Sequence, residues 1–407
     1  MTLKVNHFLG GIFLVAGTTI GAGMLGGPLT TGFSGFIPSM VYFLVCWTVM
    51  LISAFCFLDV NLAVRGEPNM ISMAERTLGT WGKVASWIVY LLLLYSLLAA
   101  YILVSGPLFE GAYTYLTGSD LPQWIGPFLL PLIFGGFIYF GTFGVDLINR
   151  LVMCGLLISF FLLIGALPEH IEPKLLTHFD WRPMPIALPL ILTAFGYHII
   201  IPSLTTYMNH DRKHLVYTIV VGSLLSLLTY TIWQFCALGV VPLIGSSSIA
   251  EAYSKGTSIT QVMAVIIQNR WVVIFALFFS FFAIVSSFLG VSLSLSDFLT
   301  DGFKIKKSWE GKLFAIALTF LPPLFFVFSY REGFVLALEY AGAFVAILLI
   351  FLPAAMAWTL KTPKFYRSLW GRVMLASISL FALIITIFVI MDRLGMFRDA
   401  ISQYVST

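Results

Sequence analysis

Eleven stretches of this chain are apolar for long enough to cross a lipid bilayer, and that repetition constrains the fold more than any single motif. They run at about residues 8–31, 36–63, 84–113, 124–142, 146–167, 184–208, 214–242, 271–299, 312–329, 332–360 and 373–395. Each is close to the ~20 residues a helix needs to span ~30 Å of hydrocarbon. In lipid every backbone N–H and C=O must find a partner within the protein, so runs of this kind fold as helices. A barrel would alternate apolar and polar residues, and these runs are continuous. With 59% hydrophobic and 10% charged residues, against ~25% charged in soluble domains, the chain reads as an all-α polytopic membrane protein. A single integral membrane domain over residues 1–407 is expected, with no soluble module.

The basic residues give the topology. With the N-terminus placed inside, inner segments hold fifteen of the 22 Lys and Arg residues, among them Arg76, Lys83, Arg212, Lys304, Lys361 and Arg372. Outer segments hold the other seven, such as Lys174, Arg182 and Arg393. By the positive-inside rule this favours an odd number of spans, a cytoplasmic N-terminus and a periplasmic C-terminus. The net charge of +4 is explained by topology signals and implies no nucleic-acid partner. Phe8 onward reads as a retained helix, because no small-residue cleavage site precedes it. Cys46, Cys56, Cys154 and Cys236 all fall in apolar runs, in neither a disulfide nor a zinc spacing. Within the inner stretch 64–83, Met70, Ile71, Met73 and Ala74 suggest a helix lying at the membrane interface.

The first run contradicts itself. Gly17, Gly21, Gly23, Gly26, Gly27 and Pro28 crowd its middle, where each glycine costs a helix ~1 kcal/mol and a proline ~3 relative to alanine. Irregular backbone at membrane depth survives only where it is buried in protein or lines a cavity. Gly17/Gly21 and Gly23/Gly27 also fit close helix packing. A dinucleotide-binding loop is excluded, since that fingerprint needs a preceding strand and a later acidic residue. The sixth run repeats the contradiction: Phe195-Gly196-Tyr197-His198 lies between Pro189 and Pro202. Two interrupted spans at corresponding places in two halves are the sequence pointer to the binding site of an inverted-repeat transporter.

The string Val15-Ala16-Gly17-Thr18-Thr19-Ile20-Gly21-Ala22-Gly23-Met24-Leu25 carries a resemblance, together with Phe195-Gly196-Tyr197-His198, Pro202-Ser203, Ser287-Phe288-Leu289-Gly290-Val291, Phe320-Leu321-Pro322-Pro323 and Tyr340-Ala341-Gly342. This ordered set resembles the hydroxy and aromatic amino acid permease family, and within it the bacterial tyrosine permeases. The resemblance implies a leucine-transporter-like five-plus-five fold: a first five-helix repeat over 8–167, an inverted second repeat over 184–360 and an eleventh helix over 373–395. It implies a symporter of the bacterial inner membrane that imports tyrosine or tryptophan with a cation, a proton being favoured and sodium the alternative. A serine, threonine or broader neutral amino acid permease of the same fold stays open. No cofactor is implied beyond the coupling ion, and the partners are the small-molecule substrate and the lipid bilayer.

A dehydrated zwitterion needs donors for its carboxylate and acceptors for its ammonium. The amides of Gly21, Ala22 and Gly23, at the start of a half-helix, suit the carboxylate. Carbonyls at Gly17, Thr18, Ala194, Phe195 and Gly196 suit the ammonium. Tyr197 offers an aromatic wall, and the resemblance places Tyr101 of the third helix there too. His198 has two readings, as a partner for a phenol or proton and as a cap on freed carbonyls. Ser286 and Ser287 with the Gly17 and Ile20 carbonyls would suit a cation, a possible sodium site built of hard oxygens; the plainer reading has each serine bonding its own helix. The resemblance implies a lysine near Leu156 in many relatives, where this chain has Met153-Cys154-Gly155-Leu156 instead. Glu339 is an ionisable group deep in the tenth run, a functional hypothesis by default: it carries a proton or gates the outer vestibule. Asp146 with Arg150, and Asp297 with Asp301, read as inner gate or interfacial charges. An intramembrane enzyme would need a nucleophile with its base or a metal cluster, and neither pattern is present, so the chain is not expected to be an enzyme.

Overall fold

The computed structural model describes every residue except Met1, Ala22, Arg65, Glu67, Pro68, Gln123, Lys307, Arg331, Glu332, Thr362, Ser406 and Thr407. The first apolar run is two helices, α1 (Thr2–Thr19) and α2 (Gly23–Thr31), whose axes meet at 54°. There follow α3 (Phe36–Ala63), α4 (Met70–Thr117), α5 (Gly126–Tyr139) and α6 (Gly141–Ala166). The sixth span is also divided: α7 (Met184–Ala194), a 3-10 turn (Tyr197–Ile200) and α8 (Ile201–Tyr207). Next come α9 (Arg212–Val240), two short helices α10 (Ile249–Lys255) and α11 (Ile259–Ile267), then α12 (Arg270–Gly302) and α13 (Trp309–Ser329). The tenth span is α14 (Phe334–Val345), a π-helical turn (Ala346–Phe351) and α15 (Leu352–Thr359), and α16 (Leu369–Arg393) and α17 (Arg398–Val405) close the chain. Among the described residues nine helices are long and apolar enough to cross a membrane, and the bent pair α1–α2 makes ten. The eleventh expected span, α5, is the short one at 14 residues.

Local chemistry explains where these helices begin. Asn69 accepts from Ser72 N at 2.9 Å, Asp211 from Lys213 N at 3.1 Å, and Ser308 from Gly311 N at 3.2 Å, each satisfying an orphan amide of the first turn. The expected interfacial segment is the opening of α4, which turns into the third span at Gly79. There φ is +75°, a region that penalises any residue with a Cβ.

Packing follows an exchange of halves. α6 lies on α12 and α4 on α14, so the fifth and eighth spans pair as the third and tenth do. Likewise α1 packs on α9, and α3 on α7 and α8. The two divided spans meet each other through α2 and α7. At one end of the molecule Asp59, 6% exposed, receives Arg212 Nε at 2.7 Å, Arg212 Nη2 at 3.1 Å and the Tyr366 hydroxyl at 2.8 Å. This charge-assisted fork ties α3 to α9 and to the turn before α16. At the opposite end Asp180 is held down to about 2, chiefly by the Arg182 side chain. Tyr404 of α17 donates to the same carboxylate at 2.9 Å.

Candidate functional site

Where α1 stops, its hydrogen bonds change hands. Ile20 N reaches the Ala16 carbonyl at 2.9 Å and Met24 N the Gly21 carbonyl at 3.0 Å, and neither bond uses the carbonyl of Gly17 or Thr18. Three other groups beside the break are satisfied from α9. Ser226 bonds the Thr19 hydroxyl, Tyr230 Oη donates to the Thr19 carbonyl at 2.9 Å, and Trp233 Nε1 donates to the Met24 carbonyl at 2.7 Å. One turn on, Gln234 Nε2 donates to Thr31 Oγ1 at 2.5 Å. These residues form a stripe at helical spacing, i, i+4, i+7 and i+8, on one face of α9. A row of hydrogen-bonding residues on an otherwise apolar helix was the available signal, and sequence reading missed it.

A chamber of about 440 Å³ lies between the two interruptions, a size ordinary for small-molecule sites. It brings together Gly17, Thr18, Ile20, Gly21 and Gly23 from the first span, Ala194 and Gly196 from the sixth, Tyr101 from α4, and Ser286 and Ser287 from α12. Ala22 lies outside the described residues. Gly21 lets α12 approach closely: a Cβ there would stand 2.5 Å from Ser287 Oγ, so a larger residue fits only if that hydroxyl turns aside. Ser286 Oγ donates to its own helix at Ala283 O, 3.3 Å away, and its lone pairs remain for a ligand.

Phe195, Tyr197 and His198 do not line the chamber, contrary to expectation. Tyr197 and His198 are fully buried behind it, stacked with ring centres 5.2 Å apart, while Phe195 packs 5.7 Å from Tyr230. The cause is the 3-10 turn. At three residues per turn, positions i and i+3 eclipse, so Gly196 and Ile199 share the face toward the chamber and the two residues between them turn away. His198 turns back toward α3, with its ring 6.1 Å from that of Phe57 and its imidazole toward the Met50 backbone.

Glu339 also departs from its expected neighbours. Leu338, Val345 and Leu349 form the chamber-facing stripe of the tenth span; Glu339, one residue round the helix, faces α16 and pairs with Arg393. The pair borders a separate cavity of about 590 Å³ with Tyr253, Ser329 and Tyr330, which touches neither interruption. The π-helical turn was not legible in the sequence: it presents the Leu349 carbonyl to Ser53 of α3, and turns of this type recur at functional sites. Leu156 is buried off the chamber, whereas Met153 and Asn149 of α6 reach it. The Asp146 side chain falls outside what is described. Asp297 borders a small void with Lys306 and Lys312 at the end of the bundle.

The chamber is asymmetric along the span. Its lining runs along α1 as far as Phe13 and Leu14, while Met24 to Thr31 of α2 are all buried. It therefore continues along α1 and closes against α2. Tyr230→Phe tests the support of the break. The ring is kept but the Thr19 carbonyl loses its donor, a loss of about 1–3 kcal/mol for a buried group. A lower unfolding temperature of the purified protein is expected, and an unchanged one would mean that the break needs no such bond.

The model of the tryptophan/tyrosine permease family matches residues 4–391. Tyrosine-specific transport system 1 of Haemophilus influenzae is 33% identical over 87% of this chain and 88% of its own length. The tryptophan-specific transport protein of Shigella flexneri is 32% identical over 92% of each. Among solved structures, that of MhsT in complex with L-phenylalanine aligns with a TM-score of 0.55 at 15% identity, covering 94% of this chain and 98% of the other. The fold is the leucine-transporter-like one.

Proposed function

The chain belongs to the tryptophan/tyrosine permease family, and from that premise we propose that it imports tyrosine or tryptophan across the bacterial inner membrane by symport with a cation. The observation that carries this is the single chamber between two interrupted helices, lined by glycine backbone on one side and by hydroxyls on the other. An amino acid carboxylate sits at the start of α2, where amides and the helix dipole attract it. Its ammonium meets the Gly17 and Thr18 carbonyls, and its ring lies along Tyr101. Sodium would take the Gly17 and Ile20 carbonyls with Ser286 and Ser287, all neutral oxygens; a proton, the favoured coupling ion, instead needs a titratable carrier, for which Glu339 is the candidate.

With the N-terminus cytoplasmic and the C-terminus periplasmic, the chamber opens inward. The first span then moves with α9, to which it is hydrogen-bonded, and with α3, joined to α9 through Asp59 and Arg212. These helices rock against α4, α6 and α12, the ordinary route to alternating access in such folds.

Counterflow in proteoliposomes tests the reading. Preloaded tyrosine or tryptophan should drive entry of labelled tyrosine, and serine should not. Sodium and pH gradients imposed separately then identify the ion. Equal exchange with serine would move the protein to the broader neutral class, and no exchange with any amino acid would remove the transport reading.

A further inference from the structure

Most hydroxyls around the chamber already serve the protein. Thr18 donates to Leu14 O at 2.7 Å, Thr193 to Leu190 O at 2.6 Å, Ser294 to Gly290 O at 2.9 Å and Tyr230 to Thr19 O at 2.9 Å. Asn149 is different. It lies on the chamber wall, and its Oδ1 is buried without a hydrogen-bond partner among the described residues. No other buried, unpartnered side-chain atom among those residues belongs to the chamber lining. An amide oxygen kept from both water and protein costs about 1–3 kcal/mol. Its place makes sense when a ligand brings the missing donor.

The position fits the far end of a bound side chain. Met153 follows Asn149 by one turn on the same face of α6, and its Cε stands 3.4 Å from where a Cβ on Gly17 would lie. At 1.5 Å per residue, Asn149 is about 6 Å beyond Met153 toward the start of α6. That is the scale of the distance from the α-carbon of an aromatic amino acid to the polar tip of its ring. A ligand anchored by its backbone at the break in the first span would thus extend its ring along Met153 and end at the Asn149 amide.

We infer that Asn149 is a specificity-determining residue: its amide accepts the phenolic O–H or indole N–H at the tip of the substrate and so sets tyrosine and tryptophan apart from phenylalanine. This rests on the transport reading above and adds to it the group that reads the ring. A site built to pair a polar hydrogen rejects an analogue that lacks it, because the acceptor is then left unsatisfied.

The test is a competition series in proteoliposomes, with labelled tyrosine against unlabelled tyrosine, tryptophan and phenylalanine. The wild-type protein should prefer tyrosine and tryptophan to phenylalanine by about tenfold or more, the scale of one lost hydrogen bond in a closed site. In Asn149→Leu that ratio should fall toward one; in Asn149→Asp, which keeps an acceptor, it should persist. If the leucine variant fails to insert, Asn149→Ala carries the same test, read as the thermal shift given to the purified protein by tyrosine and by phenylalanine. An unchanged ratio in a variant lacking the amide overturns the assignment and leaves the transport reading standing, as does a wild-type protein that accepts phenylalanine equally. A wild-type protein that exchanges no aromatic amino acid overturns both.

Discussion

Gly21→Val is expected to lower the proposed amino acid exchange by about a hundredfold or more, while the protein still folds and inserts. A Cβ at this position would stand 2.5 Å from Ser287 Oγ, so either the hydroxyl or the first span must shift, and the added methyls fill space on the chamber wall. A displacement of ~1 Å in a binding constellation can cost about a hundredfold. The effect should be graded: Gly21→Ala loses less than Gly21→Val, and Ser287→Ala added to Gly21→Ala restores part of the loss, because the next atom, Ser287 Cβ, is 3.9 Å away. Gly27→Ala is the control, since a Cβ there meets nothing within 4 Å. Exchange rates normalised to inserted protein check the series. Wild-type exchange by Gly21→Val would show that the glycine only packs helices.

The second large effect is on stability. Arg393→Met leaves Glu339, 3% exposed, buried without its counter-charge. Removing one partner of a buried ion pair typically costs about 3–5 kcal/mol, whereas replacing both by apolar residues is often neutral. Arg393 keeps 36% of its side chain exposed, which puts the expected loss at the lower end, about 3 kcal/mol. The same guanidinium lies 5.5 Å from the Tyr340 ring centre, so its loss also removes a cation–π contact. Thermal unfolding in detergent should show a clear drop for Arg393→Met and recovery in Glu339→Leu/Arg393→Met. If the single variant is as stable as the wild type, the pair does not hold α14 to α16. A double variant that is stable but fails to exchange would give Glu339 a part in transport beyond that tether.

The membrane class and the many helical spans were legible because they depend on summed hydrophobicity, which a linear chain displays directly. The two interruptions were legible for a similar reason, since glycine and proline act locally on their own backbone. Gly17, Gly21 and Gly196 therefore came out of the chain already grouped, and the structure puts them around one chamber. Rotation about a helix axis is different. Whether Tyr197 or Gly196 faces the chamber turns on a 3-10 turn that changes the angular step per residue, and no property of Tyr197 itself records it.

Partnership was the other thing hidden. Glu339 read as a lone ionisable group because Arg393, 54 positions away, adjoins it only once α14 and α16 pack together. Tyr230 and Trp233 read as ordinary aromatics of a long helix, and only docking of α9 against the break makes them donors to Thr19 and Met24. Asn149 drew no notice, because an asparagine near a helix end has many solvated uses. The sequence by itself determined that helices would cross a bilayer and that two of them would open partway. Tertiary structure decided which side chains meet in the space so made, because contact between distant residues depends on how helices are turned against one another and not on the order in which they are written.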